Sequence, residues 1–163
     1  MEIVNIYFLA ERMESIICIC IGIGAILFAL WLILSVRVHF YNGMAYSLGV
    51  IALLQIGVGA TVVIGTQSNI TRVDTYVGSG DKAKLSEDEI PRMEEVMKRL
   101  VIYRYIALGA LALGIALFII FREPALFKGV GFGLTLQAIV LLLLDFFATQ
   151  RGHDYLLYLR TLV

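Results

Sequence analysis

Apolar residues form four long stretches in this chain, and polar residues collect in the segments between them. The first stretch, Ile16 to Leu34, holds nineteen consecutive residues without a charged side chain. About 20 apolar residues wound into an α-helix cross the hydrocarbon core of a bilayer. The pattern therefore predicts a transmembrane helix at residues 16–34, and with it a membrane protein.

Three further stretches are long enough to span a bilayer in the same way: residues 44–64, 101–121 and 130–148. A short segment joins the first stretch to the second. Another joins the third to the fourth, where Pro124 prevents one continuous helix. We therefore predict an all-α fold, in which a single integral membrane domain, residues 1–163, contains four transmembrane helices in two hairpins.

The segments that flank these spans carry separate predictions. Residues 1–15 are expected to form an interfacial helix, because they are apolar but too short to cross the bilayer. Residues 65–85 are polar and are expected to form a cytoplasmic loop. Residues 149–163 are expected to form a tail that lies at the membrane interface or covers the helix before the third span.

Residues 86–100 have the strongest helical pattern outside the spans. Ser86 and Glu89 have the spacing of a capping box at the start of this segment. Apolar residues then recur at intervals of three and four and continue into the third span: Ile90, Met93, Met97 and Leu100. We predict a cytoplasmic helix continuous with the third span. Its apolar side is a cytoplasmic interaction face for the N-terminal helix, the tail or a second copy of the chain.

Basic residues are distributed unevenly between the two sides of the membrane. Ten of the thirteen lie on the side that carries both termini and the long middle segment. Because lysine and arginine collect on the cytoplasmic side of membrane proteins, we expect both termini in the cytoplasm. The formal net charge is zero, which gives no reason to expect a nucleic-acid partner.

Small residues in the spans have the spacing that lets two helices approach closely. Gly129 and Gly133 form a GxxxG motif, and Ala110 and Gly114 form an AxxxG motif. In lipid, packing between such small-residue faces drives helix association, so these four residues are predicted to lie at helix contacts. The alternative is that they reflect only the ordinary abundance of glycine and alanine in membrane helices.

Polar side chains inside the spans are candidates for function, because each needs a partner in the membrane. Arg104 and Asp145 lie at nearly the same depth in adjacent helices and can form an ion pair. The pair is interpreted either as a brace for the second hairpin or as part of a proton or ion pathway. Gln55, Gln137 and Thr135 lie deeper, and either link helices by hydrogen bonds or line a narrow polar path.

The two halves of the chain show a weak internal repeat. Arg-Met-Glu begins at position 12 before the first span and at position 92 before the third. Later in each half, a basic residue is followed by an aromatic residue and a glycine, ending at Gly43 in one half and at Gly129 in the other. The basic residues are Arg37 and Arg122. We interpret this pattern either as a duplication of one hairpin or as a chance match.

Composition and motifs give little support to an enzyme. The chain is 60% apolar and has a mean hydropathy of +0.90. Its histidines, His39 and His153, lie outside the spans, where they cannot ligate a haem within the membrane. Its cysteines, Cys18 and Cys20, point to different sides of the first helix. We therefore expect no catalytic residues, no metal ligands and no bound cofactor.

The last sixty residues or so resemble the closing hairpin of small, uncharacterised bacterial inner-membrane proteins. The likeness is carried by residues 127–134, by Gln137 and by the sequence Asp-Phe-Phe-Ala-Thr-Gln-Arg at 145–151. The resemblance implies a bacterial inner (cytoplasmic) membrane and brings no activity with it. We expect membrane lipid around the protein.

Three functions are compatible with these features. The first is a non-catalytic membrane protein that binds a partner protein, as an accessory subunit or an immunity-type factor, or that associates with itself. The second is a small oligomeric channel or transporter for ions or protons. The third and weakest is an enzyme that modifies lipids.

Overall fold

The computed structural model describes residues 2–36, 38–79, 82–121 and 123–162, which are almost entirely helical. The helices, in chain order, are α1 (Glu2–Trp31), α2 (His39–Gly78), α3 (Lys82–Lys84), α4 (Ile90–Ile120) and α5 (Ala125–Leu162). Short π-helical segments, Leu32–Val36 and Leu85–Glu89, follow α1 and precede α4. Because no strand occurs among the described residues, the prediction of an all-α fold is confirmed.

Four helices are long and apolar enough to cross a membrane, which indicates a multi-pass membrane protein, as the sequence predicts. Their apolar stretches leave many large side chains exposed, among them Leu53, Leu54, Ile64, Ile119 and Ile120. Lipid tails are as apolar as these side chains, so nothing drives them inward within the membrane. The exposed apolar surface is therefore what a membrane-spanning bundle requires.

The helices extend further than the apolar stretches, and this corrects three predictions. The segment 1–15 is not a separate helix, because α1 continues from Glu2 into the first span. The segment 65–85 is not a loop, because α2 runs to Gly78. For the segment 149–163 only the interfacial position is corrected, because α5 runs to Leu162. Its other expected position, over the helix before the third span, is the one observed, since Tyr155 and Leu159 pack with Met93. A helix of 40 residues is ~60 Å long, so about half of α2 lies beyond a ~30 Å hydrocarbon core.

These extensions pack together into a second core, here called the terminal cluster. Its fully or nearly buried members come from α1, α2, α4, α5 and the segment before α4: Val4, Tyr7, Phe8, Val73, Leu85, Met93, Tyr155 and Leu159. Outside the membrane, burial of apolar surface releases it from water and stabilises the contact. This stabilisation explains why the segments that flank the spans stay helical, because each of them contributes apolar residues to the terminal cluster.

The predicted interaction face on α4 is occupied from within the chain, by two of the three partners expected for it, namely the N-terminal helix and the tail. Met93 is fully buried, and the Tyr7 hydroxyl lies 3.6 Å from its sulfur. Gly152 of α5 lies so close to Met93 and Met97 that a Cβ there would crowd both sulfur-bearing side chains. Ile90 packs at the edge of the terminal cluster. The N-terminal helix and the tail together cover this face, which a second copy of the chain was the third candidate to cover.

Within the membrane part, α1 packs along α2, α2 along α5, and α5 along α4. Small residues allow the closest of these contacts. A Cβ on Gly129 would overlap the Phe40 carbonyl oxygen, and a Cβ on Gly43 would overlap the Leu126 carbonyl oxygen. The backbones of α2 and α5 therefore touch where both helices begin, an end of the bundle called here the link end.

The other predicted packing residues lie at similar contacts. Gly133 faces the backbone of Met44, and Gly114 lies so close to Thr135 that an added Cβ would be 2.8 Å from its backbone nitrogen. Ala110 is partly buried on the same helix as Gly114. Side chains at these glycines would separate the helices, so the small residues set the interhelical distance.

The contacts of Gly43 and Gly129 are equivalent to each other, as a two-fold relation between the two hairpins would require, and this bears on the predicted repeat. The carbonyl met by each glycine belongs to the residue three positions before the other glycine, Phe40 in one case and Leu126 in the other. The Arg-Met-Glu match does not share this symmetry, because Met13 is exposed and Met93 is buried. Arg37 and Arg122 lie outside the described residues. The duplication stays a prediction.

Candidate functional site

Arg104 and Asp145 lie together, as the depth of the two residues in their spans predicts. The Arg104 Nε donates to Asp145 Oδ2 at 2.7 Å, and Arg104 Nη2 donates to the Thr149 hydroxyl at 2.6 Å. An open groove of about 550 Å³ lies beside them on the outer surface, where Leu142 and Phe146 form part of its wall. All these residues belong to α4 and α5, so the ion pair is suited to bracing these two helices.

Gln55 and Gln137 also meet, in the centre of the bundle. Gln137 Nε2 donates to Gln55 Oε1 at 2.5 Å, and both side chains are buried. The Cys18 thiol donates to the Gln55 backbone oxygen at 3.8 Å and extends this contact to α1. Thr135 does not join the pair, because its hydroxyl donates to the Gly131 carbonyl oxygen of its own helix at 2.8 Å.

Toward the link end, the bundle centre beyond the glutamines is apolar. Its buried members are small or aliphatic: Ala45, Leu48 and Ala52. The Ser47 hydroxyl, at this level, donates to the Met44 carbonyl oxygen of its own helix at 3.0 Å. Among the described residues, the buried polar side chains of the spans are therefore the two central glutamines, and the part of the bundle on their other side leads to the terminal cluster.

On that side, a cavity of about 410 Å³ lies between α1, α2, α4 and α5. We call it the polar cavity. Its deep part is lined by Val58, Val62 and Leu144, all within the apolar stretches of their helices. Its outer part is lined by ionisable side chains: Glu11, Glu14, Arg92, Arg99 and Arg151. The lining thus changes from apolar to charged along the bundle, across the boundary where the apolar stretches end.

One side of the polar cavity has little cover. In the series α1, α2, α5, α4, consecutive helices pack along each other, whereas α1 and α4 make no comparable contact among the described residues. Their meeting point is the terminal cluster, where Tyr7 approaches Met93. This side of the cavity, where α1 and α4 lack helix contacts along the spans, is called here the gap between α1 and α4.

The arginines of the polar cavity are each paired with one carboxylate. Arg151 forms an ion pair with Glu14 across the bundle, and Arg99 pairs with Glu95 on the exposed side of α4 at 2.6 Å. A guanidinium carries five N–H donors, so one carboxylate leaves several of them free. The Arg151 Nε, for example, is buried without a hydrogen-bond partner among the described residues.

Glu11 differs from the other carboxylates of the polar cavity, because no basic side chain of the described residues pairs with it. The Tyr7 hydroxyl lies 3.5 Å from Glu11 Oε1. Burial raises the pKa of Glu11, and the nearby Arg92 and Arg151 only partly oppose that rise. Glu11 lies outside the apolar stretch, which begins at Ile16. It is thus a half-buried carboxylate whose charge is incompletely balanced.

Glu89 lies beside the polar cavity, where it binds the cavity residue Arg92, and it corrects the predicted capping box. The chain is already helical at Lys82–Lys84, so Ser86 has no free helix end to cap. Glu89 is instead fully buried, and accepts from Arg92 Nε at 2.9 Å and Nη2 at 2.6 Å. The Tyr155 hydroxyl donates to Glu89 Oε1 at 3.3 Å.

Arg72 of α2 also donates to Glu89, at 3.3 Å, so this carboxylate joins α2, α4 and α5. Burial raises the pKa of both Tyr7 and Tyr155, so both phenols stay protonated and serve as donors at neutral pH. The hydrogen bonds of Glu89 with Arg72, Arg92 and Tyr155 therefore hold together α4 and α5, the helices that carry the arginines of the cavity.

Sequence analysis missed the polar cavity, although one signal for it was present. Glu11, Glu14, Ser15 and Cys18 follow the three-and-four spacing of one helix face, and all four line the cavity. A polar stripe that enters a span at this spacing indicates an inward-facing polar surface once the helix is known to be continuous. The described residues contain no cluster of His, Cys, Asp or Glu suited to a metal ion.

Comparison with protein-family models, with curated proteins and with solved structures finds no match to this chain. The resemblance of the last sixty residues to bacterial inner-membrane proteins therefore stays a prediction. Function has to be argued from the polar cavity and the surfaces around it.

Proposed function

We propose that this chain is a non-catalytic membrane protein that binds an amphiphile with a charged headgroup in the polar cavity. One observation carries the proposal, namely the change of the lining from Val58, Val62 and Leu144 at depth to glutamate and arginine at the outer end. An amphiphile has the same order of apolar and charged parts. A phospholipid of the adjacent leaflet fits this description best.

The gap between α1 and α4 supports a ligand that arrives from the bilayer. It adjoins the cavity, whose lining becomes charged where the apolar stretches end, so a lipid can place its headgroup inside while its acyl chains stay beside the helices. Arginine donors are well suited to phosphate oxygens, which accept several hydrogen bonds. Arg92, Arg99 and Arg151 all line this part of the cavity.

Two other functions expected from the sequence fit the geometry less well. Conduction needs polar groups or water along the whole bundle, whereas the centre is apolar between the glutamine pair and the link end. A second copy of the chain was one of the three partners expected on the face that contains Met93 and Met97, and this face is covered by α1 and α5. A partner protein stays a proposal that requires another surface.

The proposed setting is a bacterial inner membrane crossed by two helical hairpins, with the terminal cluster and the extension of α4 in the cytoplasm. Single cysteines at Ser79 and Ser35 test this orientation, because both residues are exposed and lie at opposite ends of the first hairpin. The native cysteines, Cys18 and Cys20, are first replaced by serine. In intact cells, a membrane-impermeant maleimide should label residue 35 and not residue 79, and the reverse result would overturn the orientation.

Two glycine variants test the proposed function. Gly65 lines the polar cavity, and no neighbouring atom lies within 4 Å of a Cβ added to it, so Gly65→Leu adds volume to the cavity without a backbone clash. Gly57 is equally free of neighbours but is exposed and does not line the cavity, so Gly57→Leu is the matched control.

The measurement is native mass spectrometry of protein released from nanodiscs of phosphatidylethanolamine and phosphatidylglycerol. The wild type and Gly57→Leu should retain a bound lipid, and Gly65→Leu should lose most of it. Retention by Gly65→Leu equal to that of the wild type would contradict binding in the polar cavity. Absence of retained lipid from the wild type would also contradict it.

A further inference from the structure

We infer that the headgroup bound in the polar cavity is zwitterionic and carries a primary ammonium, as in phosphatidylethanolamine, with Glu11 accepting the ammonium. This inference rests on the proposed function and names the class of lipid. It depends on how the ionisable groups of the cavity are already paired, and on which of them are left.

Glu11 is the group that selects a positive charge. The neighbouring carboxylates are already paired, Glu14 with Arg151, Glu89 with Arg92, and Glu95 with Arg99. Glu11 has neutral hydroxyl donors beside it, those of Tyr7 and Thr66, and no ion pair among the described residues. Its neighbouring arginines, Arg92 and Arg151, are engaged by other carboxylates, and a partly buried carboxylate with no ion pair of its own is destabilising unless it binds a cation or a proton. A ligand with an ammonium group supplies the positive charge that the Glu11 carboxylate lacks.

The arginines select the negative part of the same ligand. Arg151 and Arg92 approach Glu11 closely enough to influence its ionisation, and both retain N–H donors after their own ion pairs form. A phosphate placed on these donors lies next to an ammonium placed on Glu11, as the two groups of phosphoethanolamine require. A headgroup with phosphate alone would bring a negative charge toward Glu11 and Glu14 without compensation.

A primary ammonium fits Glu11 better than a quaternary one. Phosphatidylcholine carries no N–H donor, and trimethylammonium groups are commonly bound against the faces of aromatic rings. The aromatic residue in contact with Glu11 is Tyr7, and its ring is stacked on Tyr155 at a centroid distance of 4.1 Å. One face of that ring is therefore already occupied.

The test is a competition among three lipids in one nanodisc, namely phosphatidylethanolamine, phosphatidylglycerol and phosphatidylcholine in equal amounts. Native mass spectrometry measures which of them the released protein retains. Wild-type protein should enrich phosphatidylethanolamine about tenfold over either competitor, the ratio that corresponds to about 1.4 kcal/mol. Glu11→Gln should lose this enrichment while it retains phosphatidylglycerol as before. Glu87→Gln, which neutralises an exposed acid outside the cavity, is the control and should keep the enrichment.

Each remaining result separates the two proposals. No retained lipid at all would overturn the proposed function and this inference together. Lipid retained in the proportions of the nanodisc, or enriched in phosphatidylglycerol, would overturn the inference alone. Equal retention of phosphatidylcholine and phosphatidylethanolamine would overturn the inference that the cavity selects a primary ammonium. If Glu11→Gln fails to fold, the wild-type competition still decides the headgroup.

A soluble ligand with the same headgroup is distinguished by adding glycerophosphoethanolamine in excess to the lipid-bound protein. The bound lipid should remain, because the acyl chains contribute to binding through the apolar surface beside the gap. Displacement of the lipid by this water-soluble compound would assign the cavity to a soluble ligand and overturn the lipid assignment.

Discussion

Tyr7 and Tyr155 stack face to face, with ring centroids 4.1 Å apart and an interplanar angle of 8°. The contact joins α1 to α5 outside the apolar stretches, in the terminal cluster that also encloses Phe8. It lies beside the outer end of the polar cavity, where Tyr7 approaches Glu11 and Tyr155 approaches Glu89. The two rings therefore link the helix contacts to the charged groups of the candidate site.

Replacement of Tyr155 by alanine should destabilise the fold by about 3–5 kcal/mol, the range for loss of a buried aromatic side chain. Tyr155→Phe keeps the stacked ring and loses only the donor to Glu89, so it should lower stability by about 1 kcal/mol. Unfolding by sodium dodecyl sulfate, followed by circular dichroism in micelles, measures both. Equal loss in the two variants would show that the ring contact contributes little.

Neutralising Glu89 should weaken the terminal cluster, because Arg72 and Arg92 would then face each other without their carboxylate. We expect Glu89→Gln to lower the free energy of unfolding by about 2–3 kcal/mol, which is less than the loss of a fully buried pair because Arg72 is partly exposed. Glu95→Gln is the control, since its ion pair with Arg99 is solvent-exposed, and it should change stability little. Comparable effects of the two substitutions would contradict a special role for Glu89.

The pairing of Arg104 with Asp145 was accessible from sequence, whereas the polar cavity was not. In a membrane helix the rise per residue fixes the depth of each side chain, so two charges at equal depth can be matched across helices. For Glu11 and Thr66, by contrast, the local sequence did not predict a position inside the bundle. Glu11 lies in the segment that was assigned to an interfacial helix, and Thr66 lies in the segment that was assigned to a polar loop, although both side chains line the cavity inside the bundle. Only the terminal cluster, formed by residues distant in sequence, keeps those segments helical.

A double-mutant cycle on Arg104 and Asp145 should show that the two side chains stabilise each other. Asp145→Asn alone should destabilise the bundle, and Arg104→Gln in the same chain should restore part of the loss. We expect a coupling free energy of about 0.5–2 kcal/mol, since Arg104 is only partly buried. The exposed pair of Glu94 and Arg160 is the control and should show no measurable coupling. Strictly additive losses at Arg104 and Asp145 would contradict a brace.

The close approach of α2 and α5 should make Gly129 intolerant of even one methyl group. Gly129→Ala places a Cβ against the Phe40 carbonyl oxygen and should destabilise the bundle by about 1–3 kcal/mol through overpacking. Gly57→Ala has open space around it and should be neutral, or stabilising by up to about 1 kcal/mol through helix propensity. The fluorescence of the single tryptophan, Trp31, reports unfolding of the membrane part. Equal stability of the two variants would contradict the close contact.

The terminal cluster also has a consequence for biosynthesis. Val4 and Phe8 are made early, whereas Tyr155 and Leu159 leave the ribosome only after every span has been translated. The first two helices therefore enter the bilayer while an apolar surface outside their spans is still without its partner. During that interval the nascent chain is the form most exposed to chaperones and proteases, and faster translation of the second half shortens the exposure.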